Sequence, residues 1–364
     1  MPQFQTFDPD DKIIETTKVT TGYFSGGHGT MGGSNFITAS LTGSQDKYYT
    51  NVQKVGTTTD QFSLSFGHRA GSGSGDVLGH TKAVYQYYAD LLLFPNEIET
   101  LGFQFVSGST TDPIWVVAAE RARMKDRVNR KNWTLVLSAS SGLPQITANN
   151  LRSSGSTVSL TDDSATTGGT ATPVGPRYNI VSGALGSVVS ASSVKNYGWF
   201  YPNVGVWILN GSQLSASFPG DTPVSGTFGA RTTSQNTVNG EPSATQSNAG
   251  FGFGGIWNNG TNHYTLYNAL KQGSFTARSE EDQITTSYFV RARAAHWNFS
   301  NNPSFGSGSD YTFAIPEFTG NPQTFITQIG LYDAQSTCVA VGRLSTPVLK
   351  NFSTELTAKV NLLH

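Results

Sequence analysis

A mainly β protein is predicted, with antiparallel sandwich or meander domains, one or two short helices and long Gly/Ser/Thr-rich loops. Three observations predict it. Apolar residues recur in short alternating or β-branched and aromatic runs separated by Gly, Asn, Ser and Pro. Of 364 residues, 40 are Gly, 40 Ser and 43 Thr, while only 13% are charged, so the polar surface is built from hydroxyls, amides and backbone. Hydrophobic residues make up 37% and aromatics 12%, which excludes a disordered low-complexity chain and is enough to fill a core.

Strands are expected at Phe62-Ser63-Leu64-Ser65-Phe66, at Trp133-Thr134-Leu135-Val136-Leu137, at Val204 through Leu209 and at Ser287 through Arg293. The last 40 residues hold the clearest set, read as a compact antiparallel meander: Thr324 to Tyr332, Cys338 to Leu344 and Thr354 to Leu362. The first two flank a connection of hairpin length, Asp333 to Thr337. One helix stands out near residues 81–94, where Thr81 can cap a run placing Val84, Tyr85, Tyr88, Leu91 and Leu92 on one face before Pro95 ends it. Weaker helical patterns cover residues 118–129 and 264–271, the latter aligning Tyr264, Tyr267 and Leu270.

Three regions follow. Residues 1–140 read as a β-rich domain carrying the helix and a basic segment at 120–131. Residues 141–260 read as a β-rich middle with two long Gly/Ser/Thr-rich loops, at about 153–175 and 220–255, and residues 261–364 as an antiparallel β domain. Such loops bury too little surface to offset their own ordering entropy, so they read either as linkers or as arms ordered against a neighbouring subunit.

The chemistry of an enzyme needs a constellation, and none forms here. Gly71-Ser72-Gly73-Ser74-Gly75 lacks the Gly-Lys-Ser/Thr ending of a phosphate-binding loop, and no Gly-x-Ser-x-Gly elbow occurs. His28, His68 and His80 match no metal-ligand spacing and read as turn histidines. Glu280-Glu281-Asp282 cannot act as a catalytic pair, because neighbouring side chains of an extended segment point to opposite faces. The single cysteine, Cys338, excludes an intrachain disulfide and, within an apolar strand, is expected to be buried and inert. No catalytic residue, cofactor or metal is therefore expected. The N-terminus shows no basic stretch leading into an apolar run, and no apolar run nears the ~18 residues of a membrane span, so a soluble chain made without a leader is expected.

Charge is nearly balanced, 23 Lys+Arg against 24 Asp+Glu, which argues against a general nucleic-acid binder. The balance conceals residues 120–131, with six basic and two acidic side chains. Such a run is either a solvated face or a contact with an acidic partner subunit. Arg121, Arg123, Lys125, Arg127, Arg130 and Lys131 are the candidate partner contacts.

Several stretches resemble a family of structural proteins of large contractile-tailed bacteriophages: Thr81 through Tyr88 with Leu91-Leu92-Leu93; Glu120 through Arg127 and on to Asn132-Trp133; Arg278-Ser279-Glu280-Glu281 through Arg291; and Trp297 through Pro303. The C-terminal Asn321-Pro322-Gln323-Thr324 through Asp333, followed by Val339 to Ser345, is also similar to the domain by which collar-type tail fibres attach to a baseplate. The resemblance implies a non-enzymatic virion subunit, assembled in the host cytoplasm, of the tail or baseplate. It would work as an assembly adaptor or fibre-attachment protein whose partners are other virion proteins and copies of itself. Rival readings are a capsid vertex, decoration or collar protein, and a receptor- or carbohydrate-binding virion protein in which Trp199, Trp207 and Trp257 stack on sugars. Low side-chain charge also suits large interfaces, whose centres are depleted of ions.

Overall fold

A computed structural model describes residues 4–32, 35–39, 47–74, 79–100, 102–138, 157–189, 194–217, 237–238, 241–242, 262–308 and 310–363. The fold is mainly antiparallel β with few short helices. In chain order the strands are β1 (Lys12–Gly22), β2 (Thr30–Gly32), β3 (Phe36–Thr38), β4 (Tyr49–Lys54), β5 (Asp60–His68), β6 (Pro113–Ala119), β7 (Arg127–Val128), β8 (Thr134–Ser138), β9 (Thr157–Asp162), β10 (Tyr178–Ala184) and β11 (Ser187–Val188). They continue with β12 (Gly198–Tyr201), β13 (Val206–Asn210), β14 (Thr237–Val238), β15 (Glu241–Pro242), β16 (Ser274–Thr276), β17 (Arg278–Ala292), β18 (Gly306–Ser307), β19 (Thr312–Phe313), β20 (Thr324–Tyr332), β21 (Cys338–Lys350) and β22 (Leu356–Leu363). The helices are α1 (His80–Leu92), α2 (Pro95–Thr100), α3 (Arg121–Met124), α4 (Gly211–Ser217) and α5 (His263–Lys271).

The chain divides into two compact units, Val19–Glu281 and the split unit Met1–Lys18 with Asp282–His364, rather than three consecutive regions. The expected boundaries near 140 and 260 fall inside the larger unit, because strands on both sides of them join one sheet. That sheet runs β2-β16-β8-β9-β10-β12-β13-β6-β5-β4-β3, with β11 paired to β10.

The period of two sorts its side chains onto two cores. Trp115 and Val117 of β6, Phe200 of β12 and Trp207 and Leu209 of β13 enter one; Ile114 and Val116, Trp199 and Tyr201, and Val206 and Ile208 enter the other. The first face curls on itself: Phe275 of β16 lies 5.3 Å from Phe62 of β5 and 5.3 Å from Trp207. α5 adds Tyr264, Tyr267 and Leu270 to this core, as its spacing predicts, and the Tyr267 hydroxyl donates to the Phe36 carbonyl at 3.3 Å. The second face is covered by α1 through Val84, Tyr85, Tyr88, Ala89 and Leu92, while Leu91 is left exposed. Close approach inside the sheet requires Gly198, whose φ is +145°, since a Cβ there would lie 2.0 Å from the Ile208 carbonyl oxygen.

Several expectations change. Thr81 does not cap α1; Gly79 holds that position, and Ser74 of the Gly-rich loop accepts from the Thr81 N–H at 3.2 Å. The pattern over 118–129 yields only α3, because the chain then turns through Lys125 at φ +57° into β7. The 153–175 loop is in part a core strand: in β9, Leu160 is fully buried and the Thr161 hydroxyl donates to the Trp133 carbonyl at 3.0 Å. β-branched Thr and Val favour a strand there more than Gly and Ser favour a loop. Most of 220–255, and Trp257, lie outside the described residues. The C-terminal meander is interrupted: β20 pairs with β21, but β22 pairs with β17 from Thr285↔Leu363 to Ala292↔Leu356.

Candidate assembly surface

The basic segment, residues 120–131, does not present six free cations. Arg127 Nε donates to Glu280 Oε1 at 2.7 Å, the Asn129 amide donates to the other carboxylate oxygen, and Lys125 pairs with Glu281. Glu280 is buried, and β7 pairs with β17 through Ser279↔Val128 and Glu280↔Arg127. Glu280 and Glu281 thus offset part of the basic run within the larger unit, and the alternation of β17 sends them to different cations. Arg123 Nε donates to the Asp60 carbonyl at 3.3 Å, and the Arg130 guanidinium reaches the Tyr178 hydroxyl and lies 5.3 Å from its ring centre. Arg121 donates to the Lys125 carbonyl; its residue and Lys131 are exposed. Lys131 takes φ +66°, and its backbone N–H donates to buried Asp162 at 3.0 Å. Burial pushes the Asp162 carboxyl above its usual range.

The histidines sit apart in local roles. His28 is exposed in a turn, and His80 begins α1 with its ring 5.5 Å from Tyr48. His68 ends β5 and accepts the Ala70 N–H on Nδ1 at 3.1 Å. Burial lowers its pKa from 6.5, opposed by the nearby Asp112 carboxylate. Among the described residues no group of three or more His, Cys, Asp or Glu is placed to hold a metal ion. Trp207 is core, and Trp199 is buried under Phe105, at 4.8 Å, and the Arg177 guanidinium, at 3.7 Å. Neither indole presents a free face to a sugar.

The split unit supplies the surface that sequence patterns missed. Its described residues bury three hydrophobic side chains, Ala292, Phe305 and Leu331, and both core clusters belong to the other unit. Among the described residues, sixteen of the 25 exposed large hydrophobic residues fall in it, though it holds about a third of the described residues. They include Phe4, Phe7, Ile13 and Ile14 near the N-terminus and Phe325, Val339 and Val341 on the hairpin. Cys338 is exposed with them, contrary to expectation, because the apolar strand that carries it belongs to a two-stranded sheet.

Polar pins replace a core. The buried Lys350 ammonium donates to Asn298 Oδ1 at 2.7 Å, the Asn351 carbonyl at 2.8 Å and the Ala294 carbonyl at 3.0 Å. Burial lowers its pKa, with Glu355 opposing. Arg291 binds buried Asp11 at 2.8 Å, and Ser287 donates to Asn361 at 3.0 Å. Phe299, Phe305, Phe313 and Phe318 form a small ring cluster with centroids 5.3 to 6.2 Å apart, yet Phe299 is more than half exposed. Hydrogen bonds contribute little net stability each, and apolar burial supplies most of it, so such a unit gains far more from a partner than a packed one does.

No protein-family model, curated protein or solved structure matches this chain. The geometry therefore carries the functional reading, beside the resemblance of its motifs.

Proposed function

We propose that the chain is a non-enzymatic structural subunit of a tailed bacteriophage virion, a tail or baseplate component acting as an assembly adaptor or fibre-attachment protein. One observation carries this reading: a well-packed sheet unit is joined to a unit that leaves its aromatic and aliphatic side chains in water. Exposed apolar surface on this scale marks an interaction site. A partner that binds only the folded form stabilises it by mass action. The segments that resemble the fibre-attachment domain, 321–333 and 339–345, lie in the exposed unit, which supports placing the contact there. Internal pairing of the basic run supports apolar rather than ionic assembly.

Mass spectrometry and immunogold labelling of purified virions test the proposal. The chain is expected in isolated tails. Its absence from complete particles contradicts the reading, and its presence in tailless heads alone moves it to the capsid.

A further inference from the structure

The β20–β21 hairpin has two outer edges, and they differ. Among the described residues neither pairs with another strand. The β21 edge is blunted: it contains Pro347, Arg343 and Lys350, and its register against β20 shifts between Ile326 and Gln328 and again at Tyr332. Pro, basic residues and bulges are the devices that keep an edge from pairing. β20 has none of them in its own sequence. Thr324 to Tyr332 reads Thr-Phe-Ile-Thr-Gln-Ile-Gly-Leu-Tyr, nine residues without a charge or a proline. Its ends are steadied by the Thr324 hydroxyl on the Trp297 carbonyl at 2.7 Å and by Phe4 against Tyr332 at 4.9 Å.

We infer that β20 pairs antiparallel with β20 of a second copy of this chain. The inference rests on the split unit being an assembly surface and names the occupant of one part of it. Three arguments favour a copy over a different partner. A two-fold pairing brings side chains near the axis close to their own copies, so a charge there would repel its like; β20 carries none, and it offers no charge for an oppositely charged partner to match. Full overlap about the central Gln328 puts amide opposite amide and Thr324 opposite Tyr332. Two hairpins then form one four-stranded sheet, whereas a lone hairpin is marginal in water and three strands are the working minimum.

Phe325, 63% exposed, and Tyr332, 48% exposed, are the large apolar side chains that β20 itself brings to such a pairing.

Sedimentation of the full-length chain tests the inference. A dimer is expected at tens of micromolar. Thr327→Lys, at an exposed β20 position, should weaken dimerisation by about tenfold or more by setting like charges across the axis, with the circular dichroism spectrum unchanged. Gln328→Cys in a Cys338→Ser background should form a disulfide-linked dimer on mild oxidation, because opposed residues of antiparallel strands lie within disulfide reach. A monomeric wild-type chain, or a dimer indifferent to Thr327→Lys, overturns the pairing. A monomer that is nevertheless found in purified tails overturns this inference alone, whereas a dimer absent from virions overturns the virion reading alone.

Discussion

Glu280 is the residue on which the basic segment depends. Glu280→Ala leaves the Arg127 guanidinium and the Asn129 amide without their acceptor, and a buried charge-assisted bond of this kind is worth about 2 kcal/mol to the fold. Urea unfolding of the larger unit should show that loss, and a smaller one when Arg127 is already Ala. Additive losses would mean that the pair is not coupled. The composition of 120–131 and of 280–282 was legible; that each was the other's counter-ion was not, since some 150 residues separate them. His68 gives a second residue-scale prediction. Its folded pKa lies below 6.5, so the unfolded chain takes up the proton first as pH falls. The larger unit should therefore keep its full stability above about pH 6.5 and lose part of it below, down to the folded pKa. His68→Gln should flatten this dependence, and an unchanged pH profile would contradict the assignment.

At the scale of elements, alternating or aromatic runs were readable as strands, and an unbroken apolar run behind a proline was less so. β5, β8 and β13 follow from their alternating or aromatic runs. β6 starts at a proline and runs Ile-Trp-Val-Val without a polar break, because α1 covers one face and the curled sheet the other. α2 was hidden by Pro95, which stops α1 and serves as the first residue of the next helix. The Tyr85 hydroxyl helps tie α1 down: it donates to the Thr111 carbonyl at 3.1 Å and accepts the Phe103 N–H at 3.0 Å. Tyr85→Phe strands both buried groups and should cost about 1 to 3 kcal/mol in thermal or urea unfolding. A neutral substitution would show that water replaces the hydroxyl. The third C-terminal strand was readable as a strand, but its partner was not. Alternation says which face of β22 is apolar and is silent on which edge it meets.

For the molecule as a whole, the candidate surface was only half legible. The sequence displayed apolar alternation at 324–332 and 338–344 and could not say whether a partner strand, a helix or water lay beyond it. Exposure turns that pattern from a core into an interface, and it reverses the expectation for Cys338. The two units are asymmetric: Val19–Glu281 carries the packed cores, and on the proposed function the split unit is the one that association would complete. Hydrogen exchange of the full-length chain, read by mass spectrometry in dilute solution and in the assembled state, tests this most directly. Amides of β6 and β13 should stay protected in both states, while those of β20, β21 and β22 exchange quickly in the dilute monomer and become protected on association. Equal protection of both units in a dilute monomer would contradict the account.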